Sequence, residues 1–100
     1  MINEGKIVEN AAGPVVTAMV HIKADTSKIE QISSSLAQHS YVEDIYLVTG
    51  AWDMILKVRF PDIGQMRNFI IKDLRNVEGV KDSYTSMVIT IFKDRGVKFQ

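Results

Sequence analysis

Val42-Glu43-Asp44-Ile45-Tyr46-Leu47-Val48-Thr49-Gly50-Ala51-Trp52-Asp53-Met54-Ile55-Leu56-Lys57-Val58-Arg59-Phe60 contains two strand-like runs separated by a short break around a glycine. Val42 to Val48 and Trp52 to Phe60 are each rich in β-branched and aromatic residues. In the second run Trp52, Met54, Leu56, Val58 and Phe60 alternate with Asp53, Ile55, Lys57 and Arg59, a period of two. The stretch therefore predicts a β-hairpin, with Gly50 giving the φ freedom that a tight reversal needs. Its turn also gathers a bare backbone, a large aromatic (Trp52) and a carboxylate (Asp53) within a few residues. That set can hold a small zwitterion, and it can equally be an ordinary hairpin tip.

Downstream, Pro61 stops the second strand and Asp62 is a helix cap, with Gln65 in the reciprocal position. Ile63, Met66, Ile70 and Leu74 follow at helical spacing, and the helix is expected to close near Asn76, before Gly79. A last long strand is predicted from Val80 to about Lys93, apolar on both faces, with a polar end after it. Upstream, Val16, Ala18, Val20, Ile22 and Ala24 form one face of a strand over Val15 to Ala24. Ser27 and Glu30 have the spacing of a capping box, and Ile29, Ile32 and Leu36 then mark a helix to about Gln38. Residues 1–14 lack periodicity and read as an N-terminal arm.

The order is β-α-β-β-α-β, an α+β, ferredoxin-like arrangement with two helices on one face of a four-stranded antiparallel sheet. Val15, Met19 and Ile55 then fall on the face without helices, joined by an apolar set from the last strand. So much exposed apolar surface marks an interface, and two such sheets packed face to face would form an obligate homodimer.

Composition narrows the function classes. One hundred residues make one domain, with 46% apolar and 24% charged residues. No apolar run approaches the ~20 residues of a membrane span, and Met1 to Lys6 does not resemble a signal peptide, so the expectation is a cytoplasmic protein without membrane association. Cysteine is absent, which excludes disulfides and thiolate chemistry. Zero net charge gives no sequence-independent pull toward nucleic acid. His21 and His39 sit on different elements without neighbours at metal-ligand spacing, and there is no phosphate loop, nucleophile elbow or paired catalytic carboxylate. No cofactor and no metal are expected.

Ala18-Met19-Val20-His21-Ile22, the hairpin from Val42 to Val58, Val77-Glu78-Gly79-Val80 and Tyr84-Thr85-Ser86-Met87-Val88 together resemble the effector-binding RAM domain of the Lrp/AsnC family of transcription regulators. The resemblance covers residues 15–93 and leaves an arm (1–14) and a tail (94–100). It implies a dimeric α/β sandwich, often built further into octamer-like rings. It also implies amino-acid binding where the hairpin turn meets a neighbour's last strand. Two features depart from the family pattern: Trp52 stands where Tyr or Phe is usual, and only 14 residues precede the first strand, too few for the usual winged helix-turn-helix. The expectation is a stand-alone form that does not bind DNA directly, with full-length Lrp/AsnC regulators as candidate partners.

For a bound amino acid or related metabolite, Asp53 can accept from the ammonium group, and N–H groups around Gly50 and Ala51 can donate to the carboxylate. Thr85 and Ser86 can add hydroxyls from a neighbouring subunit. The structural alternative gives Gly50 only turn geometry and makes Asp53 a hydrogen-bond partner of the hairpin backbone. Met19, Trp52 and Ile55 are the expected interface residues. Two other functions compete with this non-enzymatic sensor. One is a small dimeric monooxygenase- or decarboxylase-like enzyme using His21 with Tyr46 or Arg59, and the other is a module that only assembles.

Overall fold

Strand β1 (Val16–Ala24) occupies the middle of the sheet, and its burial alternates because only one of its faces is covered by helices. The computed structural model describes residues 15–99, so the arm expected over residues 1–14 lies outside the described residues. After β1 come a short 3-10 turn (Thr26–Lys28), helix α1 (Ile29–Ala37), and strands β2 (Val42–Leu47) and β3 (Met54–Phe60). Helix α2 (Ile63–Asn68) continues as a π-helical segment (Phe69–Leu74), and strand β4 (Val80–Met87) follows. The sheet order is β2-β3-β1-β4 with every pair antiparallel, the ferredoxin-like order.

The core is the set of residues that period two assigned to one face. Ala18, Val20, Ile22 and Ala24 of β1 and Met54, Leu56, Val58 and Phe60 of β3 are buried against Ile32 and Leu36 of α1 and Met66, Phe69 and Leu74 of the second helix. Packing decides the fate of α1. Its three serines cost at most about 0.7 kcal/mol each in helix propensity, whereas burying Ile32 and Leu36 returns roughly 1.5–3 kcal/mol each.

Several local expectations are corrected. Ser27 does not cap α1; the Asp25 carboxylate accepts from the Ser27 N–H (3.0 Å) and hydroxyl (2.8 Å) and caps the preceding 3-10 turn. Asp62 does cap α2 through the Gln65 N–H (2.8 Å). The buried stripe of the second helix is Met66, Phe69 and Leu74, and Ile63 is 58% exposed. Phe69 and Leu74 are five residues apart, and the wider i→i+5 turn of a π-helix brings that spacing to one side.

The last strand ends at Met87 instead of Lys93. Ala18 pairs with Met87, and the Val88 N–H reaches the Thr17 carbonyl, so β4 runs off the start of β1 and loses its ladder partner. The chain then forms a two-residue hairpin, β5 (Lys93–Asp94) with β6 (Val97–Lys98), turning through Arg95 and Gly96, both at positive φ.

Gly79 lies at φ +100°, and a Cβ there would meet Ile32 Cδ1 at 3.0 Å and Lys28 Cβ at 3.1 Å. Gly50, at φ +116°, has open space around it. Gly79→Ala is expected to cost about 1–3 kcal/mol in urea unfolding. It should cost more than Gly50→Ala, which shares the backbone penalty without the crowding. Asp25 supplies a pH test. Hydrogen bonds from Ser27 hold its carboxyl below the ordinary carboxylate range, so its contribution is complete above the unfolded value near ~3.9 and is lost as pH falls through the lower folded value. The melting-temperature gap between wild type and Asp25→Ala should therefore be present at neutral pH and narrow in strong acid.

Candidate ligand site at the hairpin tip

The tip, residues 48–53, is a loop held at its base by two backbone bonds. The Val48 N–H donates to the Asp53 carbonyl (2.9 Å), and the Asp53 N–H donates to the Ile22 carbonyl (2.9 Å). Asp53 then makes a third tie through its side chain, because Oδ2 accepts from the Ala24 N–H at 2.8 Å. The carboxylate takes the place of a ladder partner where the end of β1 would otherwise have an unpaired donor. Lys23 Nζ stands 3.9 Å from the same oxygen and 3.3 Å from the Ala51 carbonyl oxygen. The Asp53 side chain is 19% exposed and that of Lys23 49%. Oδ1 of Asp53 has no hydrogen-bond partner among the described residues.

Trp52, an expected interface residue, lies outside the period-two pattern that groups it with Met54. The strand begins only at Met54, so residue 52 is free of the pleat. Its ring lies 6.2 Å from His21 and 6.3 Å from Tyr84, nearly parallel to the tyrosine. His21 and Tyr84 are cross-strand partners on the face without helices, and His21 Nδ1 lies 3.3 Å from the Tyr84 carbonyl oxygen. The strand registers extend this rung to Tyr46, Ile55, His21 and Tyr84, one residue from each strand. The next rung is Asp44, Lys57, Met19 and Ser86. Met19 and Ile55 thus share the open face with Trp52.

The far end of that face is charged. Lys57 Nζ lies 3.3 Å from Asp94 Oδ1 and 3.7 Å from Glu43 Oε1, and Arg59 Nη1 lies 3.3 Å from Glu43 Oε2. Asp94 comes from the terminal hairpin, so the boundary expected between residues 93 and 94 falls within a folded element. Thr17, Lys57, Val88, Phe92 and Asp94 help line an open groove of about 440 Å³ there.

The other expected site residues are divided. Gly50 and Ala51 are exposed at the tip. Thr85 pairs with the buried Val20 and faces the helices, whereas Ser86 pairs with Met19 and faces away, so one chain's two hydroxyls do not converge. Period two alone carried that signal. The enzyme triad does not assemble either: His21 and Tyr46 flank Ile55 on one rung, while Arg59 is two rungs away and paired with Glu43. Lys23 was absent from the expected site. Its signal lay in its position just before the end of β1, but locating the tip beside it needs the tertiary fold.

The architecture defines a small ferredoxin-like α+β domain with one face covered by helices. The model of the Lrp/AsnC ligand-binding domain matches residues 17–97, and the chain belongs to that family. An uncharacterised helix-turn-helix-type transcriptional regulator of Pyrococcus horikoshii is 28% identical over 82 residues, covering 82% of this chain and 52% of that protein. The chain therefore spans about half the length of this relative. Among solved structures, the L-Met complex of a transcriptional regulator from Neisseria meningitidis matches with TM-score 0.78 and 19% identity, over 97% of this chain and 61% of that one. A protein from Thermus thermophilus matches with TM-score 0.73 and 23% identity, over 79% of this chain and 99% of that one. Both structural likenesses show the fold.

Removing the Asp53 carboxylate strands the Ala24 N–H. Asp53→Ala should lower stability by about 1–3 kcal/mol, and Asp53→Asn, which keeps an acceptor, should lower it less, as read by urea unfolding.

Proposed function

We propose that this chain is an effector-sensing module of Lrp/AsnC-type regulation, which binds a free amino acid or a related small metabolite within a homo-oligomer and acts by binding instead of catalysis. The observation that carries this reading is the match of residues 17–97 to the Lrp/AsnC ligand-binding domain. The structural likeness to a regulator in complex with L-Met supports the ligand class.

One feature of the molecule is consistent with it. Trp52, His21, Tyr84, Tyr46, Ile55 and Met19 give the open face an apolar half of the kind that a second copy covers. Packing two such faces by a two-fold axis makes a homodimer, and the tips at its rim can meet further copies in a ring. Gly50, Ala51 and Asp53 of one subunit, with Ser86 of another, are the proposed ligand contacts; Thr85 enters only from a copy that approaches the other side of the sheet. Association with full-length Lrp/AsnC regulators through these surfaces would carry the effector signal to transcription. The bond from Ala24 to Asp53 favours one second reading, a module that assembles without sensing, because it occupies half of the carboxylate.

A thermal-shift screen against the twenty amino acids separates the two. A ligand at 100 times its Kd adds about 2.7 kcal/mol to the folded state, a rise of several degrees for a domain of this size. One or a few amino acids should produce it. A flat response to all twenty at millimolar concentration contradicts sensing and leaves assembly alone.

A further inference from the structure

We propose that Lys23 is the carboxylate-reading residue of the hairpin-tip site, so that the tip recognises both charges of an α-amino acid and rejects ligands that lack the carboxylate. This rests on the sensing reading above and adds to it a residue and a selectivity.

Lys23 is the cationic side chain in contact with the tip among the described residues. Its contacts are loose: 3.9 Å to Asp53 Oδ2, at the far edge of ion pairing, and 3.3 Å to the neutral Ala51 carbonyl oxygen. The side chain is half exposed, and the stronger acceptor beside it is already bonded to the Ala24 N–H. An ammonium group parked on a neutral carbonyl gains a charge–charge attraction when a ligand carboxylate replaces that acceptor.

The backbone beside it is also ready for an anion. The N–H groups of residues 49–52 have no acceptor among the described residues. Nothing lies within 4 Å of where a Gly50 side chain would project, so a ligand can approach the main chain there. Asp53 Oδ1 stays available for the ligand ammonium group. Lys23 and Asp53 thus set one cation and one anion side by side at the tip, as a zwitterionic ligand requires. Backbone donors alone would hold a carboxylate without a net charge. Lys23 supplies that charge and with it discrimination against amides and amines.

The test uses the whole chain and isothermal titration with the amino acid that binds tightest in the screen, followed by its α-carboxamide. Wild type should bind the acid at least about tenfold more tightly than the amide. Lys23→Met should lose this ratio and weaken acid binding by about 10- to 100-fold, while Lys23→Arg keeps most of the preference. Melting temperature and solution mass verify that each variant folds and assembles, and Lys23→Gln replaces Lys23→Met if the latter does not. If the neutral variant keeps the full preference for acid over amide, this inference is overturned and the sensing reading stands. If wild type binds no amino acid, the sensing reading falls and this inference falls with it.

Discussion

A four-stranded sheet has two faces, and two helices cover only one. Everything else about this molecule follows from that imbalance. On the helix side, alternation on β1 and β3 fills a closed core from Ala18 to Phe60. On the other side the same alternation necessarily presents Met19, His21, Ile55 and Lys57, and among the described residues a short terminal hairpin is what lies over them. That hairpin is drawn to the charged end, where Asp94 meets Lys57, whose side chain is only 19% exposed. The aromatic end stays bare, with Tyr84 57% exposed. In the proposed assembly a second copy covers it, so the fold and the oligomer solve one problem.

The hairpin tip is tied to this face by the bond from the Ala24 N–H to Asp53. A loop of six residues between strands would ordinarily be among the least constrained parts of a small domain. Here its base is fixed by Val48, Ile22 and Ala24 together, and Trp52 is packed with His21 and Tyr84. The tip therefore has a rigid frame around a few exposed backbone donors. Such a frame costs less to order when a ligand or a neighbouring subunit binds. It also means that Asp53 cannot be weighed as a ligand contact apart from its place in the fold.

Much of this was legible in the sequence because burial imposes a period. The core faces of β1 and β3, the two helices and the strand order follow from residues such as Val20, Leu56 and Leu36 recurring at two or at three to four positions. What escaped was whatever depends on a distant partner. The end of β4 at Met87 is set by where β1 begins, although Val88 to Phe92 continue a perfectly good strand pattern. The π-helical turn that brings Phe69 and Leu74 together has no local signature, and the cap at Asp25 competes with an equally well-formed capping sequence at Ser27. At the tip, Gly50 and Asp53 could be singled out by chemistry. The tie to Ala24 and the approach of Lys23 could not, since they join residues some thirty positions apart.

Coverage of the open face by a second copy is the central claim. Sedimentation equilibrium over a range of low micromolar concentrations tests it most directly. The expected mass is that of two chains or an even multiple of them, with no monomer accumulating on dilution through that range. A single-chain mass at every concentration would contradict it.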